Sequence, residues 1–274
     1  MLKTMLDNVR AKTPLIHNIT NYVTVNDCAN ILLACGGSPI MSDDINEVEE
    51  ITSICGGLNI NIGTLNQRTI QSMLSAGIKA NSLGHPIVLD PVGAGASSLR
   101  TNTAIMLMEK IHFSVIRGNI SEIKTLALGA GTTKGVDADI ADAITEQSVD
   151  NVTAFAKDFA QKCGAVIAIT GAIDIVANDS TAYIIRNGVP TMSKITGSGC
   201  MLSAMTAAYI TANPDNLLEA ASAAVCAMGL CGEKAFDTMC KNNAGNSSFR
   251  NYLIDEIYKL DGDALAEGAK YEIR

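Results

Sequence analysis

Short apolar runs alternate along the chain with longer stretches whose apolar residues recur every three or four positions. Runs of about four to eight apolar residues predict buried strands, and the longer period predicts amphipathic helices. The predicted strands are 58–62, 87–90, 114–117 and 165–170, and the predicted helices are 66–82, 99–110, 121–128 and 155–162. This alternation favours repeated βαβ units, and therefore an α/β fold with a mainly parallel central sheet flanked by helices on both faces.

The pattern changes after residue 170. Two short apolar runs, 173–177 and 181–186, are separated by the polar tripeptide 178–180, which predicts a hairpin at an edge of the sheet. From Cys200 onward Ala, Leu and Met dominate, so we expect helices to fill the remainder, with a buried helix over 217–230.

Length and composition indicate a single unit. The chain has 274 residues, of which 47% are hydrophobic and 18% charged. Many α/β folds of this length form one domain, and no proline-rich, serine-rich or single-charge block suggests a linker. We therefore expect one domain over residues 1–274.

Charge and hydropathy exclude several partners. The net charge is −8 and the isoelectric point is near 4.9, so the surface should repel nucleic acid. No strongly apolar run reaches the roughly 18 residues of a membrane span. The first ten residues are spaced like an amphipathic helix and lack a secretory apolar region, so we expect a cytoplasmic protein.

The eight cysteines do not form a metal or disulfide pattern. They are scattered, no C-x-x-C pair occurs, and the chain has only three histidines, so a zinc site is not indicated. We interpret seven of them as small core side chains. Cys200 is the exception because it follows a glycine pair.

Two predicted strands end in charged residues. Ligands of open parallel sheets bind at the carboxyl ends of the strands, where Asp90 precedes a glycine-containing turn and could face a metal or phosphate. A helix cap or turn is the alternative. Arg117 ends the next strand and could neutralise a phosphate, with Ser121 capping the following helix and Glu122 in its first turn. A structural ion pair between Arg117 and Glu122 is the alternative.

Two further segments are candidates for phosphate binding. Thr170 and the glycine after it end another strand. A hydroxyl group and a backbone without a side chain could contact the phosphate or ribose of a nucleotide, but the same two residues are equally consistent with a turn that has no functional role. The segment 195–200 reads ITGSGC and leads into a helix, so the amides of Gly197 to Cys200 could form an anion hole at its N-terminus. Glycines that only permit tight packing of the helix are the alternative.

The absence of several generic motifs argues against other enzyme classes. No G-x-x-x-x-G-K-[ST] sequence occurs, and the glycine-rich segment 129–135 is only a loose echo of a P-loop. No G-x-G-x-x-G follows a strand and no G-x-S-x-G is present. A nicotinamide dehydrogenase and a serine hydrolase are therefore disfavoured.

Taken in order, these four segments resemble the hydroxyethylthiazole kinases of the ribokinase-like superfamily. Two earlier segments share the resemblance: 14–21, which reads PLIHNITN, and 37–41, which reads GSPIM. The likeness runs from about Pro14 to the helices after Cys200. Related hydroxymethylpyrimidine phosphate kinases share the fold and the anion hole but lack the HNITN opening.

The resemblance implies an ATP-dependent kinase that phosphorylates the hydroxyl of 4-methyl-5-(2-hydroxyethyl)thiazole in thiamine biosynthesis and salvage, with Mg²⁺ as cofactor. It also implies a homotrimer with the thiazole pocket at subunit interfaces. The implied thiazole-binding residues are Met41, Gly197 and, more weakly, Asn21. The implied ATP-binding residues are Arg117, Thr170 and Gly199, the metal site is Asp90 with Glu122, and Cys200 lies at the reacting hydroxyl.

Two departures from the family pattern keep a hydroxyl group: Ser198 and Ser97 stand where threonine is common. Two other functions remain open. One is a kinase of the same fold acting on a pyrimidine or sugar alcohol, and the other is a non-catalytic sensor of ATP or a vitamin precursor.

Overall fold

The computed structural model describes residues 1–129 and 144–274. Within these ranges the helices are α1 Leu2–Lys12, α2 Val25–Cys35, α3 Val48–Ile54, α4 Gln67–Leu83, α5 Ser98–Lys110, α6 Ile120–Leu128, α7 Val149–Cys163, α8 Ser198–Ala212, α9 Leu217–Lys241, α10 Asn246–Lys259 and α11 Gly262–Gly268. The strands are β1 Leu15–Ile19, β2 Ser38–Met41, β3 Gly57–Asn61, β4 Ile87–Asp90, β5 Val115–Asn119, β6 Val166–Thr170, β7 Asp174–Ala177, β8 Ala182–Ile185 and β9 Tyr271–Ile273.

The strands form one sheet in the order β2-β1-β3-β4-β5-β6-β7-β8-β9. Neighbouring strands from β2 to β6 are parallel, and β7, β8 and β9 continue the sheet in antiparallel pairing. The predicted α/β fold with a mainly parallel sheet is therefore confirmed. The parallel strands bring their carboxyl ends, including the candidate residues Asp90 and Thr170, to one edge.

Alternating side chains of each strand supply two separate cores. Val88 and Val115 face a core formed with α1, α2, α8 and α9, whereas Leu89 and Ile116 face the opposite core with α4, α5, α6 and α7. This alternation explains why the central strands read as continuous apolar runs, because both faces are covered by helices.

Helix α8 lies centrally in the first of these cores. All but one of the residues from Cys200 to Ala212 are buried, and the helix contacts β1, β3, β4, α2 and α9. A helix that is apolar on every side is expected to be surrounded by other elements. Its N-terminus therefore has a fixed position relative to the strand ends, which matters for the site.

Several expectations about the last third of the chain were wrong. Strand β9 pairs with β8, so the hairpin of β7 and β8 does not form the sheet edge, and helices do not fill the whole remainder. The segment 195–200 follows a 3₁₀ turn, Pro190–Lys194, so it is not at the carboxyl end of a strand as the other three candidate segments are. Three residues of β9 carry too short a pattern to predict a strand, and pairing with β8 decides their conformation.

Other findings refine the sequence interpretation. Cys240 is exposed and Cys163 is only partly buried, so these two are not core residues. The segment 130–135 of the glycine-rich stretch lies outside the described residues. In the part of the chain that the structure describes, no helix is both long and apolar enough to cross a membrane.

Candidate active site

The carboxyl ends of four adjacent parallel strands place polar side chains beside the N-terminus of α8. Asn61 ends β3 and lies opposite Asp90 at the end of β4, and Thr170 ends β6. Arg117 lies two residues before the end of β5, where its side chain reaches both Asp90 and Thr170. Local sequence places Asn61, Asp90 and Thr170 at strand ends, and the parallel pairing brings them close to Arg117.

Asp90 is fully buried and held by several donors. Its Oδ2 accepts hydrogen bonds from Asn61 Nδ2 at 2.9 Å and Ser203 Oγ at 2.7 Å, and lies 3.5 Å from Arg117 Nη1. Its Oδ1 has no hydrogen-bond partner among the described residues. Burial raises the pKa of Asp90, while the charge of Arg117 and the hydrogen bonds oppose that rise. Because Ser97 caps α5, the helix-cap interpretation of Asp90 does not hold.

The Arg117 guanidinium group lies directly against the N-terminal turn of α8. Its Nη2 donates a hydrogen bond of 2.6 Å to Thr170 Oγ1. A Cβ atom at Gly199 would lie only 2.5 Å from Nη1 and 2.7 Å from Nη2, so glycine is what allows this approach. A guanidinium cation and the positive end of a helix dipole converge here, which is an arrangement suited to an anion.

Cys200 accepts two amide donors. Asn21 Nδ2 lies 3.2 Å and Asn61 Nδ2 3.3 Å from its Sγ atom, and Asn21 is oriented in turn by hydrogen bonds from Thr24 to its Oδ1. Burial raises the pKa of Cys200, and the negative charge of Asp90 raises it further. A helix N-terminus ordinarily lowers the pKa of a thiol, but burial outweighs that effect here, so Cys200 is a neutral thiol near neutral pH.

Gly197 precedes Ser198 and Gly199 at the start of α8, and Met41 ends a strand at the edge of the parallel sheet. Gly197 has a φ of +89°, and a Cβ atom there would lie 2.5 Å from Thr24 Cγ2, so the start of α8 packs tightly against the residue that orients Asn21. Met41 ends β2 opposite Asn18 and is partly buried against the core that contains Cys200. Within the described structure no hydrogen bond joins Met41 to the polar cluster.

Glu122 forms a capping box rather than an ion pair. Its Oε2 accepts the backbone N–H of Asn119 and its Oε1 that of Gly93, both at 2.8 Å. Burial raises the pKa of Glu122, and the charge of Asp90 adds to this effect. Asn119, not Ser121 as expected, caps α6, and Arg117 pairs with Asp90 instead of Glu122. Glu122 thereby fixes the glycine-containing turn after β4 against the start of α6.

A cleft of about 490 Å³ opens beside Arg117 and Thr170. Ser198 and Gly199 contribute the start of α8 to its lining, and apolar residues supply much of the rest: Val189, Pro190, Met192, Leu202, Val225 and Met228. Asp174 also lines the cleft, and burial raises the pKa of its carboxyl group to about 7. A mainly apolar cleft with a few polar groups near one cation suits a small organic anion.

Sequence reasoning missed four residues of this arrangement: Asn61, Thr24, Ser203 and Asp174. Asn61 could have been found, because Asn59 and Asn61 place amides on one face of an apolar strand. Ser203 and Thr24 act through contacts between helices and strand ends that are distant in sequence. No metal-ligating cluster of three or more His, Cys, Asp or Glu side chains occurs in the described ranges.

Comparisons with known proteins give a consistent result. A model described as the hydroxyethylthiazole kinase family matches residues 6–263. A hydroxyethylthiazole kinase from Clostridium acetobutylicum is 69% identical over 272 residues, covering 99% of each chain.

Solved structures agree with the sequence relatives. The structure of a hydroxyethylthiazole kinase protein from Pyrococcus horikoshii OT3 superposes with a TM-score of 0.87 at 33% identity, covering 100% of this chain and 98% of the other. An ADP complex of Bacillus subtilis pyridoxal kinase superposes with a TM-score of 0.56 at 15% identity, covering 79% of this chain and 90% of the other. The second likeness shows the fold alone.

Proposed function

The chain belongs to the hydroxyethylthiazole kinase family, and from that premise we propose that it transfers the γ-phosphoryl group of ATP to the hydroxyl of 4-methyl-5-(2-hydroxyethyl)thiazole. The product supplies the thiazole phosphate used in thiamine biosynthesis and salvage. One observation carries the proposal: Arg117, Thr170 and the start of α8 meet at a cleft, directly beside the cluster of Asn21 and Cys200.

The chemistry of phosphoryl transfer suits this set of residues. Such transfer depends mainly on positioning and on stabilising charge, with little covalent work for the protein. Arg117 offsets negative charge on the phosphates, and Thr170 holds its guanidinium group in place. The backbone N–H groups at Gly197 to Cys200 point from the helix N-terminus and hold the moving phosphoryl group, with Gly199 leaving room for Arg117.

In this proposal the thiazole alcohol binds near the N-terminus of α8, beside Met41 and Asn21. Met41 provides an apolar, polarisable contact for the thiazole ring, beside the start of α8 at Gly197. Asn21 and Asn61 orient the Cys200 thiol toward the same region. Because burial keeps the thiol neutral, Cys200 positions the hydroxyl or assists its deprotonation only weakly.

The carboxylates fit a magnesium ion held mainly by the nucleotide. Oxygen ligands are what Mg²⁺ prefers, and Asp90 Oδ1 is a buried oxygen with no hydrogen-bond partner in the described structure. Asp90 would face the ion with Glu122 nearby, directly or through water. Bound there, Mg²⁺ would neutralise phosphate charge.

We further infer a homotrimeric, cytoplasmic enzyme with its thiazole pocket at a subunit interface. Tyr22 and Val23 support the interface, because they are 79% and 57% exposed, apolar, and adjacent to Asn21. Large exposed apolar side chains beside a site are typical of interfaces. Sedimentation at working concentration should show three chains, and a fully active monomer would contradict this assembly.

The activity is tested by incubating the purified protein with ATP, Mg²⁺ and the thiazole alcohol, then measuring ADP and the phosphate ester by mass spectrometry. We expect stoichiometric ADP and thiazole phosphate, and little ADP without the acceptor. Arg117→Ala should abolish most of the product, whereas Arg68→Ala, at an exposed arginine of α4, should not. ATP binding without any product would favour the sensor function instead.

A further inference from the structure

We propose that the carboxyl group of Asp174 accepts hydrogen bonds from the ribose hydroxyls of the nucleotide and makes the site selective for ribonucleotides. This inference rests on the proposed function, because it assumes that the cleft beside Arg117 holds ATP. It adds a specificity residue that contacts neither the phosphates nor the thiazole.

The position of Asp174 is fixed close to the proposed phosphate contacts. Its Oδ1 accepts the backbone N–H of Gly171 at 2.8 Å, across the turn that joins β6 to β7. Gly171 directly follows Thr170, whose hydroxyl oxygen accepts a hydrogen bond of 2.6 Å from the Arg117 guanidinium group. The ribose of ATP is bonded to the α-phosphate, so it must lie within a few ångströms of the triphosphate. Asp174 lines the same cleft as Thr170 and Arg117 and is joined by a hydrogen bond to the residue after Thr170.

The second carboxyl oxygen is available to a ligand. Asp174 Oδ2 forms no hydrogen bond or ion pair within the described ranges, and the residue lines the cleft. Two other polar side chains of the lining, Asn187 and Ser193, are already engaged in hydrogen bonds within the protein. Asn187 accepts the backbone N–H of Lys270 and donates to Gly268 O, and Ser193 donates to Pro190 O.

The chemistry favours a hydroxyl donor over the other parts of ATP. Among the described lining residues Asp174 carries the only carboxyl group, and a carboxyl oxygen accepts hydrogen bonds but repels phosphate oxygens. Its pKa near 7 reduces the repulsion from phosphates at neutral pH. The apolar side chains Val189, Met192 and Met228 suit the flat base, which leaves the ribose for the carboxyl group.

The test compares binding of ATP, 2′-deoxy-ATP and 3′-deoxy-ATP by calorimetry, in the presence of Mg²⁺ and without acceptor. The parent protein should bind at least one deoxy analogue about 10- to 100-fold more weakly than ATP. Asp174→Asn keeps an oxygen for the backbone N–H of Gly171 but turns an amide donor toward the cleft. It should therefore weaken ATP binding by a similar factor and no longer distinguish ATP from the deoxy analogues. Asp179→Asn, the same change at an exposed turn beyond the far end of β7, should bind like the parent.

Unchanged discrimination in Asp174→Asn would overturn the inference while leaving the kinase function intact. A variant that alters only the preference for ATP over ITP would also overturn it, because the carboxyl group would then contact the base. Failure of any nucleotide to bind would overturn the proposed function together with this inference. Because no acceptor is present, a protein that does not phosphorylate the thiazole still yields a decisive result.

Discussion

Gly199→Ala offers a sharp test of the Arg117 site. A new Cβ atom would lie 2.5 Å, 2.7 Å and 2.9 Å from the Nη1, Nη2 and Cζ atoms of Arg117. These distances are shorter than ordinary van der Waals contact, so the guanidinium group must move by about 1 Å. The movement breaks its hydrogen bond to Thr170 and its pairing with Asp90. The fold should survive, because the group that moves is the end of a flexible side chain.

The expected loss of ATP affinity follows from the strength of the hydrogen bond between Arg117 and Thr170. A hydrogen bond to a charged group is worth about 1.5–3 kcal/mol, which corresponds to a factor of about 10 to 150 in binding. We therefore expect the KM for ATP to rise about 10- to 100-fold. Alanine is the better helix former by up to about 1 kcal/mol. The buried Asp90 loses its pairing with Arg117 at the same time, so the melting temperature should fall while the protein remains folded.

A double-mutant cycle shows whether the loss of ATP affinity arises from displacement of Arg117 or from a direct effect of the methyl group on the helix amides. Steady-state kinetics with Gly199→Ala, Arg117→Ala and the double variant should show that Gly199→Ala costs almost nothing once Arg117 is absent. Gly245→Ala is the matched control, because a Cβ atom there would meet no atom within 4 Å and its φ is −105°. An equal loss of ATP affinity with and without Arg117 would refute the reasoning, since the methyl group would then act on the helix amides themselves.

Three further changes have expected outcomes. Glu122→Gln replaces one of two oxygens that each accept a backbone N–H. Chemical denaturation should therefore show that the free energy of unfolding falls by about 1–3 kcal/mol, and activity should also fall. Unchanged stability would contradict the capping role. Cys200→Ala should lower kcat by about 100-fold or less, and Cys200→Asp should retain more activity than alanine; alanine at the parental kcat would exclude a catalytic role. The pKa of Asp174 rises from 3.8 to about 7 on folding, so its favourable contribution is present below pH 3.8 and is lost as the pH rises to 7. Melting curves should show the parent losing stability relative to Asp174→Asn across that window, and a constant difference would contradict the shift.

The central sheet could be predicted where local pattern and tertiary environment agree. Strands β3 and β4 are buried on both faces, so their apolar runs were sufficient. Strands β1 and β2 were not predicted, because polar residues interrupt the pattern of β1. His17 is fully buried there, with Nε2 bonded to Ser42 O and Nδ1 to Thr52 Oγ1, partners that only the fold supplies.

The residues of the candidate site likewise fall into those that the sequence could locate and those that depend on long-range packing. Asp90 and Thr170 end apolar strands, so the rule for parallel sheets located them from sequence. The raised pKa of Cys200 could not be predicted from the sequence, because desolvation depends on packing by distant segments. Asp174 was missed for a similar reason, since the residues that make it a cleft residue come from 187–193 and α9. Sequence located the strand ends, and long-range packing determined their electrostatics.

The most direct test of the central claim is a comparison of acceptors at saturating ATP. The ratio kcat/KM should be measured for 4-methyl-5-(2-hydroxyethyl)thiazole, hydroxymethylpyrimidine and ribose with one preparation of the protein. We predict that the thiazole alcohol is preferred by a wide margin, as expected for an apolar pocket bounded by Met41 and Gly197. Equal or faster phosphorylation of the pyrimidine or the sugar would contradict the assignment of the substrate while leaving the fold unaffected.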